Sequence, residues 1–184
     1  MYDKNIFGVN SAFYYFGLEH FYVNIYNYIK NGIRKNEIVW LCVNNDVYKN
    51  IKSYIGAYEN WYHNICNFPK ILNLYKYYGV SSIRNKLIEY ENGIIEKGYN
   101  GIRFIIDVKH IISISSKEDF LKFDSDMLDI IYKTRSSVMC AYDFENYVNT
   151  RDIIDDKIIE ESSATHSSRL YKGELQNCQK LLNI

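Results

Sequence analysis

The sequence predicts an α/β domain, with a mainly parallel central sheet and helices on both faces. Three observations predict it. A continuous apolar, β-branched run at 38–43 reads as a strand buried on both sides, 102–106 as another buried strand, and 137–142 as a further strand. Segments with apolar residues at helical spacing alternate with these runs. The 184 residues, 47% hydrophobic and 24% charged, are one domain's worth of globular material. Such a chain buries roughly 70% of its unfolded surface and needs no metal or disulfide to fold.

Each element has its own signal. Residues 11–16 form a short apolar run closed by Gly17, the first strand. From 19 to 30 the residues Phe21, Ile25, Tyr28 and Ile29 fall at helical spacing, and Asn31-Gly32 offers a C-terminal stop. Glu37 leads into strand 38–43. Asp46 is the candidate N-cap of a helix over 47–58. Residues 59–79 are aromatic and irregular, contain the single proline, Pro69, and suggest a short strand at 71–74. Ser81-Ser82 then cap a helix to 97, built on Ile83, Leu87, Tyr90, Ile94 and Ile95 and ended by Gly98. After strand 102–106, the run Ser115-Ser116-Lys117-Glu118 has the capping-box pattern for a helix to 133. Strand 137–142, a helix over 150–161 and a last strand at 168–171 complete a domain at 1–173. The tail, 174–184, carries Leu175, Cys178, Leu181 and Leu182 at helical spacing. It is expected to pack back on the domain, with a signalling helix or a homodimer seam as the alternative.

Composition excludes several function classes. Lys and Arg number 22, as do Asp and Glu, so no basic excess supplies the phosphate neutralisation that nucleic-acid binding rests on. No polybasic cluster points to an anionic membrane surface, and no apolar run reaches 18 residues. The four cysteines are scattered, and no apolar leader opens the chain, so the expectation is a soluble cytoplasmic protein with reduced thiols. Nineteen tyrosines and abundant Ile, Asn and Lys fit the codons of an AT-rich genome, with a tyrosine-lined binding surface as the alternative.

Ligands of parallel α/β domains bind beyond the carboxyl ends of the strands. The first strand ends in Phe16-Gly17-Leu18-Glu19, and neither G-x-x-x-x-G-K-[ST] nor G-x-G-x-x-G occurs anywhere, so the usual phosphate cradles are missing. Strand 102–106 ends in Asp107, like the aspartate that holds magnesium in nucleotide enzymes, or simply a helix cap. Strand 137–142 ends in Asp143, which either joins Asp107 in a carboxylate pair or caps the next turn. Arg103 lies near the start of an apolar strand, where an unpaired guanidinium is costly. A salt bridge at the sheet's edge, with an acid from a neighbouring helix, competes there with ligand binding. Of His20, His63, His110 and His166, the second pair lies close to strand ends, but no Cys/His spacing marks a zinc site. No G-x-S-x-G elbow marks a hydrolase.

The order of motifs nonetheless resembles one family. Its opening strand, H-x-[CA]-x-x-Y, is matched at 10–15 by Asn10, Ala12 and Tyr15, with Asn10 in place of the histidine. A glycine five residues before a strand-entry glutamate is matched by Gly32 and Glu37, and a G-x-R strand closing in an acid by Gly101, Arg103 and Asp107. A tryptophan often follows that acid, where this chain has His110. C-x-Y-D is matched by Cys140, Tyr142 and Asp143, and the closing T-H and L-Y pairs by Thr165-His166 and Leu170-Tyr171. Together these make the chain resemble the MEDS domain, a methanogen/methylotroph sensory domain, over about 10–173.

That resemblance implies a RecA/KaiC-like fold without its P-loop. It also implies a non-enzymatic sensory role beside histidine kinase or transcriptional outputs, with small, hydrocarbon-derived molecules as ligands. The expected site is the crevice at the strand ends, near Tyr15, Arg103, Asp107, His110, Tyr142, Asp143 and His166, with no cofactor and no metal. The expected partners are a small molecule and a histidine kinase or other signalling protein. Two rivals stand beside it, a ligand-free protein-interaction module that modulates a histidine kinase and a nucleotide-dependent enzyme.

Overall fold

The computed structural model describes residues 6–56, 64–68 and 71–178. Its centre is a seven-stranded sheet in the order β3-β2-β4-β5-β1-β6-β7. The strands are β1 (Asn10–Tyr15), β2 (Glu37–Cys42), β3 (Ile65–Asn67), β4 (Gly101–Asp107), β5 (Ser136–Asp143), β6 (Ser168–Tyr171) and β7 (Glu174–Asn177). Every pairing is parallel except β6 with β7. The expected fold class therefore holds. β4 and β5 are buried along their whole length, as the central strands of a parallel sheet should be.

Two apolar clusters fill the two faces, sorted by the alternation of side chains along each strand. Phe13, Tyr15, Val39, Leu41, Ile105, Met139 and Ala141 face the helices α1 (Gly17–Arg34) and α2 (Asn45–Gly56). Ala12, Phe104, Ile106, Val138, Cys140 and Tyr142 face the other way. There they meet α3 (Ile71–Glu96), α4 (Val108–Ser113), α5 (Lys117–Ile131) and α7 (Asp156–Thr165). The short helix α6 (Phe144–Asn149) follows β5 directly.

Several local expectations change. Residues 71–74 are helical rather than a strand, because Ile71, Leu72 and Tyr75 present one buried helical face. The edge strand is β3, just before them, paired through Val39 and Ile65. The helix expected to begin at Ser81-Ser82 is the second arm of α3, and Gly79 marks the break with φ 72°, a conformation glycine adopts without strain. α1 runs on past Asn31-Gly32 to Arg34, and Asn36 at φ 57° makes the turn. α2 is capped by Asn44, whose Oδ1 accepts from the amides of Asp46 (3.0 Å) and Val47 (2.9 Å), not by Asp46. At α5 the capping serine is Ser116, which accepts from Asp119 N at 3.1 Å. The start of the tail is not helical. It turns back through Lys172-Gly173, both at positive φ as a two-residue hairpin requires, and pairs as β7. Leu181, Leu182, His63 and Pro69 lie outside the described residues.

The first departing connection sets up the site. From β1 the chain leaves toward α1 on one face, while β4 and β5 send α4 and α5, α6 and α7 in the other direction. A crevice opens where such connections part. No described helix is long and apolar enough to cross a membrane.

Candidate functional site

A crevice of about 480 Å³ lies at the carboxyl ends of β1, β4 and β5. Register brings the ends together, with Tyr15 opposite Asp143 and Asp107 opposite Ala141. Tyr15, Asp107, His110 and Asp143 all line it, joined by Gly17, Leu18, Asn44, Val47, Lys109, Glu145 and Ile153. Four of the seven residues expected there thus meet in one place.

Both strand-end aspartates do double duty as helix caps. Asp107 Oδ1 accepts from His110 N at 3.4 Å and starts α4, and Asp143 Oδ1 accepts from Asn146 N at 3.1 Å and starts α6. Asp143 Oδ2 also pairs with Lys109 Nζ at 2.8 Å, which raises the affinity of that lysine for its proton. Burial pushes the Asp107 carboxyl up to about 6, and the charge of Asp143 adds to the shift. Burial likewise pushes the Tyr15 phenol up, with Asp107 and Asp143 adding to it, and pulls the His110 imidazole down. At neutral pH the crevice therefore presents a neutral phenol and a neutral imidazole beside a cluster of carboxyl groups. The His110 Nε2 is buried without a hydrogen-bond partner among the described residues.

The raised Asp107 pKa has a stability consequence. The folded chain keeps a proton up to about pH 6 that the unfolded chain, with an ordinary value of 3.8, releases earlier. The folded state binds more protons in that window, so stability falls as pH rises from about 4 to 6 and beyond, by an amount on the order of 2–3 kcal/mol. Asp107→Asn keeps a capping oxygen and is expected to flatten this decline, leaving the variant more stable than the parent at pH 7.5. Urea denaturation from pH 4 to 8 checks it, and an unchanged slope in the variant contradicts it.

The other three expected residues lie elsewhere. Arg103 is at the opposite end of β4 and only 1% exposed. Its Nε and Nη2 each reach Glu37 Oε2 at 2.7 Å, Nη1 donates to Tyr28 O at 2.9 Å, and the guanidinium stacks 4.3 Å from the centre of the Tyr28 ring. The pairing acid comes from the neighbouring strand in mid-sheet, not from a helix at an edge. Buried and held by these contacts away from the crevice, Arg103 is a fold residue. Gly32 belongs to the same unit, since a Cβ there would lie 2.9 Å from Arg103 Nε. Asn10, at the far end of β1, is likewise remote from the crevice.

Tyr142 and His166 are on the other face. Tyr142 is fully buried, stacked on Tyr14 at 5.3 Å and edge-on to His166 at 5.8 Å. His166 meets Asp124 and Cys140 in a buried polar cluster that no spacing in the sequence announces. That same face also holds an apolar cavity of about 270 Å³ between the sheet and the helices α3 and α5, lined in part by Trp40, Phe68, Leu87, Tyr90, Phe123 and Met127.

Similarity to known proteins fits this picture. The family model "MEthanogen/methylotroph, DcmR Sensory domain" (MEDS) matches residues 11–167. No curated protein matches the chain. Among solved structures, one titled "Structure of a unique ATP synthase subunit NeqB from Nanoarcheaum equitans" superposes with a TM-score of 0.50 at 15% identity. The match covers 90% of this chain and 48% of that one, so this chain spans about half the length of that subunit and shares its fold.

Proposed function

The chain belongs to the MEDS sensory-domain family, and from that premise we propose a non-enzymatic sensory or regulatory domain whose strand-end crevice binds a small molecule. The signal passes to a histidine kinase or a transcriptional output. The observation that carries this reading is the polarity of the crevice. Among the described residues, Asp107, Asp143 and Glu145 line it against a single cation, Lys109, which is already paired with Asp143. Nucleotide phosphates need the reverse, a nest of backbone amides with a free lysine and a bound cation. The crevice instead suits a neutral or cationic molecule that donates hydrogen bonds to carboxyl groups and rests its apolar part on Leu18, Val47 and Ile153.

Helices α1, α4 and α6 all begin at the crevice, so a ligand that binds one arrangement of their first turns more tightly shifts the population toward it. Calorimetry against small alcohols, amines and other hydrocarbon derivatives tests the proposal, with ATP–Mg²⁺ as a control. Leu18 is 54% exposed, so Leu18→Arg fills the crevice without disturbing the core. It is expected to weaken binding at least about tenfold, some 1.4 kcal/mol. Silent titrations with folded protein favour the ligand-free protein-interaction module. The apolar cavity on the opposite face supports a second reading, a wholly apolar ligand, whose binding Leu18→Arg leaves unchanged.

A further inference from the structure

We propose that Asp124, Cys140 and His166 form a binding site for a single divalent metal ion of the zinc class. The ligating atoms of all three lie within 4.8 Å of one another, and all three residues are buried. Asp124 Oδ1 is 3.5 Å from His166 Nε2 and 3.6 Å from Cys140 Sγ. Sulfur, nitrogen and oxygen ligands of a tetrahedral zinc ion sit about 3.3–3.7 Å apart, as bond lengths of about 2.0–2.3 Å require. Two of the three separations thus have the spacing of the ligand shell, and the third lies within 4.8 Å.

The remaining atoms are arranged as metal sites arrange them. His166 Nδ1 lies 2.7 Å from the Ser162 carbonyl oxygen, which accepts its proton and leaves the Nε2 lone pair as the outward donor. That Nε2 is buried, has no hydrogen bond among the described residues, and faces the carboxylate oxygen of Asp124. A ring nitrogen and a carboxylate oxygen so placed need a positive centre between them, a metal ion or a proton. The second carboxylate oxygen, Oδ2, accepts from Thr165 Oγ1 at 2.5 Å, which fixes the carboxylate plane. Charge also closes. A thiolate, a carboxylate and a neutral imidazole cancel the two charges of the ion, so the filled site is neutral in a setting where net charge is costly. Burial and Asp124 hold the Cys140 thiol well above its ordinary pKa, so the thiol stays protonated until a metal displaces its proton. The ion would tie α5, β5 and the end of α7 together.

The full chain, purified without chelator or metal-affinity steps, is assayed for metal. It is expected to carry about one zinc per chain, and its chelator-stripped form to take up Co²⁺ with a thiolate-to-cobalt charge-transfer band. Cys140→Ser is expected to lose that band. Thr165→Ala is expected to keep the band with metal affinity about 10- to 100-fold weaker. X-ray absorption on the unaltered chain gives a readout independent of variant folding, with one sulfur scatterer at about 2.3 Å from zinc. Folded protein that takes up neither zinc nor cobalt overturns the proposal and leaves a protonated hydrogen-bonded cluster. So does a thiolate band that survives Cys140→Ser, or a zinc shell without sulfur.

Discussion

Arg103→Met is expected to lower the unfolding free energy by about 3–5 kcal/mol, a large part of the whole for a domain of this size. The guanidinium makes its hydrogen bonds and ion pair inside the fold, to Glu37 and the Tyr28 carbonyl. Removing it takes the guanidinium away from a carboxylate that is only 2% exposed. The penalty lies mainly in that buried charge, which loses its Arg103 partner. A second change, Glu37→Gln, is therefore expected to recover much of the loss, because taking out both partners of a buried pair costs far less than taking out one. Chemical denaturation of the single and double variants measures both effects. A loss below about 1 kcal/mol in the single variant is what an exposed pair would give, and contradicts the buried one.

Gly101→Ala is expected to cost about 1–3 kcal/mol or more. A Cβ at this position would lie 2.3 Å from the carbonyl oxygen of Arg135 and 2.6 Å from the Phe7 ring. The carbonyl cannot easily retreat, since it accepts from Ile102 N at 2.8 Å where β4 and β5 begin to pair. Gly93 gives the contrast. It lies within α3, and nothing stands within 4 Å of its would-be Cβ. Gly93→Ala is expected to stabilise the chain by about 0.5–1 kcal/mol through helix propensity. Thermal denaturation of the two variants side by side checks the pair, and equal effects would show that the close approach at Gly101 does not govern β4.

These two predictions recast the family motifs. Gly101 and Arg103 of the G-x-R strand, with Gly32 and Glu37, form one packing unit at the amino end of the sheet. Tyr15, Asp107 and Asp143 belong to the crevice at the other end. The motif pattern groups these residues together, and the structure separates those that hold the fold from those that line a site.

How much was legible follows from particular residues. The long strands were plain, because Ile102 to Ile106 is apolar apart from Arg103 and Val138 to Tyr142 is apolar throughout. β7, with only Leu175 apolar among Glu174, Gln176 and Asn177, carried no strand pattern, and its one signal was the Lys172-Gly173 turn before it. The single-turn helices α4 and α6 are too short for a period, though the aspartates at 107 and 143 were their caps. In the crevice, Asp107 and Asp143 were found from the rule of strand ends. Tyr142 beside Asp143 had to face the opposite side of the sheet, which alternation along a strand makes readable. Arg103, four residues before Asp107, had to lie near the other end of the strand. Asn44, Lys109 and Glu145 follow strand ends closely but sit in no motif. The Asp124, Cys140 and His166 cluster was out of reach, because its members come from three elements that only the tertiary fold brings together.

The most direct test of the central claim is backbone chemical-shift mapping of the isotope-labelled chain with whichever small molecule binds in calorimetry. The account predicts shifts concentrated at Tyr15, Gly17, Asp107, His110 and Asp143, with ATP–Mg²⁺ moving none of them. Saturable ATP–Mg²⁺ shifts centred on Gly17 and Leu18, or ligand shifts confined to Trp40, Tyr90 and Phe123 on the opposite face, would contradict it.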